Sequence, residues 1–141
     1  MENNVLITVR SIQTYEDNAP ETIELTTEGE LREENGTLYL CYPESALTGL
    51  DGTQTVFAVS DDGVTLERRG KVSSRMEFRL GQVHKSLYEA FGLGTLLITV
   101  CTTELENRLT LCGGSLHVSY AIEIEETGSG TVTYDVTVVQ K

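Results

Sequence analysis

Tryptophan is missing from this chain, and proline occurs only twice, histidine twice and cysteine three times in 141 residues. Each scarcity removes a class of explanation. So little proline argues against a linker-rich or disordered chain. Cys41, Cys101 and Cys112 are odd in number and lack C-x-x-C spacing, which argues against a disulfide framework and a structural zinc site. They are expected to be buried thiols acting as small hydrophobes. His84 and His117 stand in no spacing that chelates a metal or pairs a base with a nucleophile, so neither a metal nor a cofactor is expected. No G-x-S-x-G or P-loop stretch is present, no G-x-G-x-x-G has a strand and helix around it, and no internal repeat appears.

Positive charge is scarce too. Ten Lys and Arg face 22 Asp and Glu, a net charge of −12 that repels nucleic acid and anionic lipid. Arg68, Arg69 and Lys71 form the only basic cluster, with Glu67 beside it. Long apolar runs are absent from the start of the chain, where "MENNVLITVR" offers Val5 to Ile7 before Thr8, so neither a signal peptide nor a membrane span is expected. The expected location is the cytoplasm.

What is present is alternation. A chain of this length is read as one domain, residues 1–141. "SLHVSYAIEIEE" sets Leu116, Val118, Tyr120, Ile122 and Ile124 against His117, Ser119, Glu123 and Glu125, and "VTYDVTV" continues the pattern with Val132, Tyr134, Val136 and Val138. Residues 23 to 31 alternate in the same way. Glu123 and Glu125 point outward in this reading, as a solvated acidic face, and His117 is a surface imidazole.

Turns set the expected registers. Asn35-Gly36 suits a two-residue hairpin turn that pairs Glu34 with Thr37, Leu31 with Leu40 and Gly29 with Tyr42. Asp62-Gly63, read likewise, pairs Asp61 with Val64, Val59 with Leu66 and Phe57 with Arg68. A turn at "KVS" then sets Gly70 opposite Ser74, Arg68 opposite Met76, Leu66 opposite Phe78 and Val64 opposite Leu80. Arg68 is the one cation on an otherwise apolar face.

Consecutive hairpins of this kind predict an all-β fold, a single antiparallel meander barrel of about eight to ten strands, with a sandwich as the alternative. Two segments break the pattern. "PESALTG", Pro43 to Gly49, reads as a short turn or a single helical turn, and Val83, Leu87, Tyr88 and Phe91 at helical spacing predict a short capping helix around residues 82–91.

"LYLCY" at Leu38 to Tyr42, "LERRG" at Leu66 to Gly70, "MEFRLG" at Met76 to Gly81, Tyr88, and "GSLHVSY" at Gly114 to Tyr120 resemble the YwiB-like family of bacterial proteins of unknown function. That resemblance implies a calycin-like, lipocalin-type barrel and no established reaction. Around Tyr88 the family carries a Thr-Pro and then a glycine, whereas this chain reads "YEAFGLG".

The candidate ligand-binding residues are Arg68, Phe57, Met76, Tyr88, Tyr120 and His84. A guanidinium inside a barrel is costly unless paired, and it can hold a carboxylate or phosphate in two-pronged fashion. The competing expectation is structural, with Arg68 stacked on Phe57 and paired to an internal Glu104. The leading functional expectation is a non-enzymatic barrel that binds a small, partly apolar, anionic molecule. The alternative is a protein-protein interaction or homodimerising module with a filled interior. Catalysis around His84 and Tyr88 ranks last.

Overall fold

The computed structural model describes residues 2–16, 18–45, 50–90, 94–125 and 128–141. Ten strands follow one another: β1 (Glu2–Tyr15), β2 (Glu21–Glu34), β3 (Thr37–Pro43), β4 (Thr53–Ser60), β5 (Gly63–Gly70), β6 (Val72–Phe78), β7 (Val83–Ala90), β8 (Gly94–Thr110), β9 (Gly113–Ile124) and β10 (Gly128–Gln140). Each is antiparallel to the next, and β10 returns to β1 from Val5↔Gln140 through Tyr15↔Gly130. The sheet is a closed barrel, not a sandwich. Closure leaves no free outer strand, which is how a meander of this length avoids edge-to-edge pairing with other chains.

The inward faces follow the period-two pattern. Leu116, Val118, Tyr120 and Ile122 are buried on β9, and Val132, Tyr134, Val136 and Val138 on β10. The Asn35-Gly36 turn pairs Glu34 with Thr37 and Leu31 with Leu40 as expected, with Asn35 and Gly36 both at positive φ. Gly29 is where β1, β2 and β3 approach closely: a side chain there would meet the Cys41 carbonyl, Ile7 Cδ1 and Tyr42 Cβ.

The next two registers differ from expectation by two residues. Ser60 pairs with Gly63, so Asp61 and Asp62 form the turn and Phe57 faces Leu66 rather than Arg68. Gly63 opens β5 instead, at a point where a Cβ would strike the Phe78 carbonyl at 2.5 Å. Its small size serves strand contact, and the Asp-Gly pair misled the turn assignment. Across the following turn Arg68 faces Ser74, Leu66 faces Met76 and Val64 faces Phe78. A shift of two leaves every side chain on its expected face but changes its neighbours.

The expected helix over residues 82–91 is instead the strand β7, Val83–Ala90, with Gln82 just before it and Phe91 outside the described residues; no helix occurs among the described residues. A spacing of four satisfies both the helical period and the strand period. Val83 and Leu87 here point outward, 61% and 56% exposed, while half-buried His84, Ser86 and Tyr88 take the other face. The strand wins because β8 needs a partner: Val83↔Cys101 through Ala90↔Gly94 saturate its first half. Residues 46–49 of the "PESALTG" turn and residues 91–93 of "YEAFGLG" lie outside the described residues.

Two further expectations fail. The thiols are not interior, since Cys41 and Cys101 are half-exposed and Cys112 is exposed. Glu104 is not internal either. A β-bulge between Thr102 and Glu104 slips the register against β9, so buried Thr102 is followed by an exposed Glu104, which bonds His117 on the outer wall at 2.9 Å.

Candidate functional site

The barrel interior has two unlike ends. One is filled by apolar side chains from every wall, among them Val5, Ile7, Leu31, Leu40, Phe57, Leu66, Phe78, Leu116 and Val118, none more than 1% exposed. The other end, where β1, β3, β5, β7 and β9 finish, holds a cavity of about 450 Å³. That volume lies in the range of small-molecule sites.

The cavity walls are apolar with a polar insert. Val9, Leu25, Met76, Ile98, Ile122 and Val132 supply the apolar part. Five of the six tyrosines, Tyr15, Tyr42, Tyr88, Tyr120 and Tyr134, also line it, together with Ser11, Gln13, Glu21, Glu44 and Arg68. Tyr120 and Tyr134 stack with ring centres 6.4 Å apart, and Phe57 packs edge-on beneath Tyr134 at 6.2 Å. Aromatic packing fixes the hydroxyls without using their hydrogen-bonding capacity.

Arg68 sits on β5 between Thr55 of β4 and Ser74 of β6, all three buried. Its Nη2 donates to the Tyr134 hydroxyl at 2.9 Å. Among the described residues its Nε has no partner, nor does the neighbouring Ser74 Oγ, nor Thr102 Oγ1 on β8, where Thr102 pairs with Tyr120 of β9. Unsatisfied buried donors are uncommon in folded proteins because each costs about 1–3 kcal/mol, more when charged. Thr55 donates at 2.5 Å to Glu44, a buried carboxylate at the cavity wall.

Burial works against the charge on Arg68, yet the Tyr134 and Tyr120 oxygens and the hydrogen bond to Tyr134 outweigh it and raise its pKa. Burial likewise pushes the Tyr120 and Tyr42 hydroxyls well above the ordinary tyrosine value, with Tyr134 adding to the rise at Tyr120 and Glu44 adding to it at Tyr42. At neutral pH the guanidinium is therefore charged and these phenols are neutral.

Of the residues expected to bind a ligand, Arg68, Met76, Tyr88 and Tyr120 come together at the cavity. Phe57 is fully buried under Tyr42 and Tyr134 and acts as support. His84 stands apart: its Nδ1 accepts the Glu77 amide at 3.3 Å and its Nε2 lies 3.1 Å from the Glu77 carboxylate. The ring lies where β6 and β7 part after pairing only at Val72↔Ala90 and Ser73↔Glu89. His117 is held outside by Asp135 at 2.5 Å and Glu104 at 2.9 Å.

Sequence reasoning missed Thr55, Ser74, Thr102, Glu44 and the role of Tyr134. A signal existed for three of them. Thr55 and Ser74 are polar residues at inward positions flanking Arg68, and Tyr134 is the inward aromatic of β10.

A domain of unknown function, DUF1934, matches residues 7–136. The fold is similar to the crystal structure of ywiB protein from Bacillus subtilis, with a TM-score of 0.82 and 22% identity over 99% of this chain and 93% of that one. At such identity the likeness carries the fold alone. No curated protein matches the chain.

Proposed function

The chain belongs to the DUF1934 family, a domain of unknown function, and from that premise we propose that it is a cytoplasmic binding protein whose barrel takes a small, partly apolar molecule with an acidic group held by Arg68. The observation that carries this reading is the buried Arg68 Nε, left without an acceptor beside a cavity of about 450 Å³. A charged donor in that position gains most from a ligand oxygen, because a charge-assisted hydrogen bond in a low-dielectric site is stronger than one in water. The apolar walls supply affinity without direction, and the tyrosine hydroxyls supply orientation. Three free thiols suit a reducing compartment.

Native mass spectrometry of protein purified from its own host tests the reading. A retained small molecule is expected with the natural chain and is lost from Arg68→Leu at equal folded yield. A ligand retained equally by both proteins would remove Arg68 from the account.

One observation favours the alternative of an interaction or homodimerising module. Val83, Leu87 and Leu97 form an exposed apolar strip on the outer wall, with Leu87 directly opposite Leu97. Sedimentation at micromolar concentration separates the two readings, since the module predicts a dimer that Leu87→Glu dissociates.

A further inference from the structure

Resting on the ligand-binding reading above, we infer that the acidic group is a carboxylate monoanion seated acid-first against Arg68, and that the cavity rejects phosphate dianions. Two observations carry this. The first is the set of donors. Arg68 lines the cavity with its Nη2 committed to Tyr134 and, among the described residues, no partner for its Nε; its buried cross-strand neighbour Ser74 does not line the cavity. A planar carboxylate presents two charged oxygens to the flat guanidinium, whereas an alcohol or amide presents one neutral oxygen.

The second is charge. Among the described residues Arg68 is the single cation lining the cavity, while Glu44 and Glu21 line it too. One added negative charge gains the guanidinium as a direct partner, against the opposing Glu44 and Glu21. A second has no further cation to meet and is repelled by Glu44, which is buried where screening is weak. The rest of the ligand runs along Leu25, Ile98, Ile122 and Val132, so it is apolar.

The test titrates the intact protein with octanoate, octyl phosphate and octanol by calorimetry at pH 8 and pH 5.5. Octanoate should bind at least tenfold more tightly than either other probe at pH 8. Octyl phosphate should gain several-fold at pH 5.5, where the monoanion dominates because the second phosphate pKa is about 6. Arg68→Leu should weaken octanoate at least tenfold and change octanol far less, with a melting temperature that is unaltered or raised showing that the fold is intact. Octyl phosphate equal to or tighter than octanoate at pH 8 overturns the carboxylate inference and leaves the ligand-binding reading standing. Octanol as tight as octanoate removes the acid group from both. Failure of all three probes to bind at millimolar concentration counts against the ligand-binding reading itself.

Discussion

The two ends of the barrel interior are built by the same strands with the same alternation, yet one is filled and the other holds a cavity. The difference lies in which residue types the inward positions carry. Toward the filled end they are Val, Leu, Ile and Phe. Toward the cavity they include the buried polar residues Ser11, Glu44, Thr55, Arg68, Ser74 and Thr102, interleaved with tyrosines. Stability is thus concentrated at one end, where close packing excludes water and each methyl group has neighbours on all sides. The other end keeps polar groups that a fold optimised for stability alone would replace.

The sharpest way to break this comparison is a matched pair of truncations. Leu40→Ala, at a fully buried position of the filled end, should cost about 4–5 kcal/mol by urea denaturation, near the upper limit for such changes. Leu25→Ala, at the cavity wall, should cost about 2–3 kcal/mol, because the leucine already lacks neighbours on one side. Equal losses would erase the distinction. Gly29→Ala sits where three strands converge and should cost about 1–3 kcal/mol through overpacking against Ile7 and the Cys41 carbonyl. The same denaturation curves give that value.

Arg68→Leu should behave oppositely. Removing a buried cation with an unsatisfied Nε leaves stability unchanged or raises it by roughly 1–2 kcal/mol. A loss of 3 kcal/mol or more by the same measure would make Arg68 a structural residue. The smallest expected effect lies on the outer wall of the filled end. Hydrogen bonds to Glu104 and to Asp135 raise the His117 pKa above its ordinary value. The folded protein therefore binds this proton more tightly than the unfolded chain. The stabilisation is complete below the unfolded value of about 6.5 and disappears as pH rises through the raised folded value, a loss of under about 1 kcal/mol for so exposed a pair. His117→Gln should flatten that part of the stability profile and leave the cavity end untouched.

Much of this was legible in the sequence. Inward faces of β9 and β10 follow directly from strict alternation, and the Asn35-Gly36 turn fixes its register because only that pair meets its φ requirements cheaply. Arg68 is found by the same reasoning, since a register error of two preserves its face. What could not be read depends on long-range contact. The bulge at Thr102 turns Glu104 outward through its pairing with β9, and no local residue preference announces it. β7 was misjudged because its outward residues are the apolar ones, the reverse of the usual rule, and its strand form is imposed by β8. Orphaned atoms at Arg68 and Ser74 become visible only when the strands are brought side by side.

The central claim is a buried Nε–H without a partner among the described residues, on an arginine that lines the cavity, and the Arg68 Nε–H resonance in a ¹⁵N-labelled sample reports on it directly. The signal should be slow to exchange with water and should shift on titration with octanoate, saturating with it, while octanol leaves it in place. An Arg68 Nε–H that exchanges as fast as those of exposed arginines, or that ignores octanoate while outer-wall resonances move, would contradict the account.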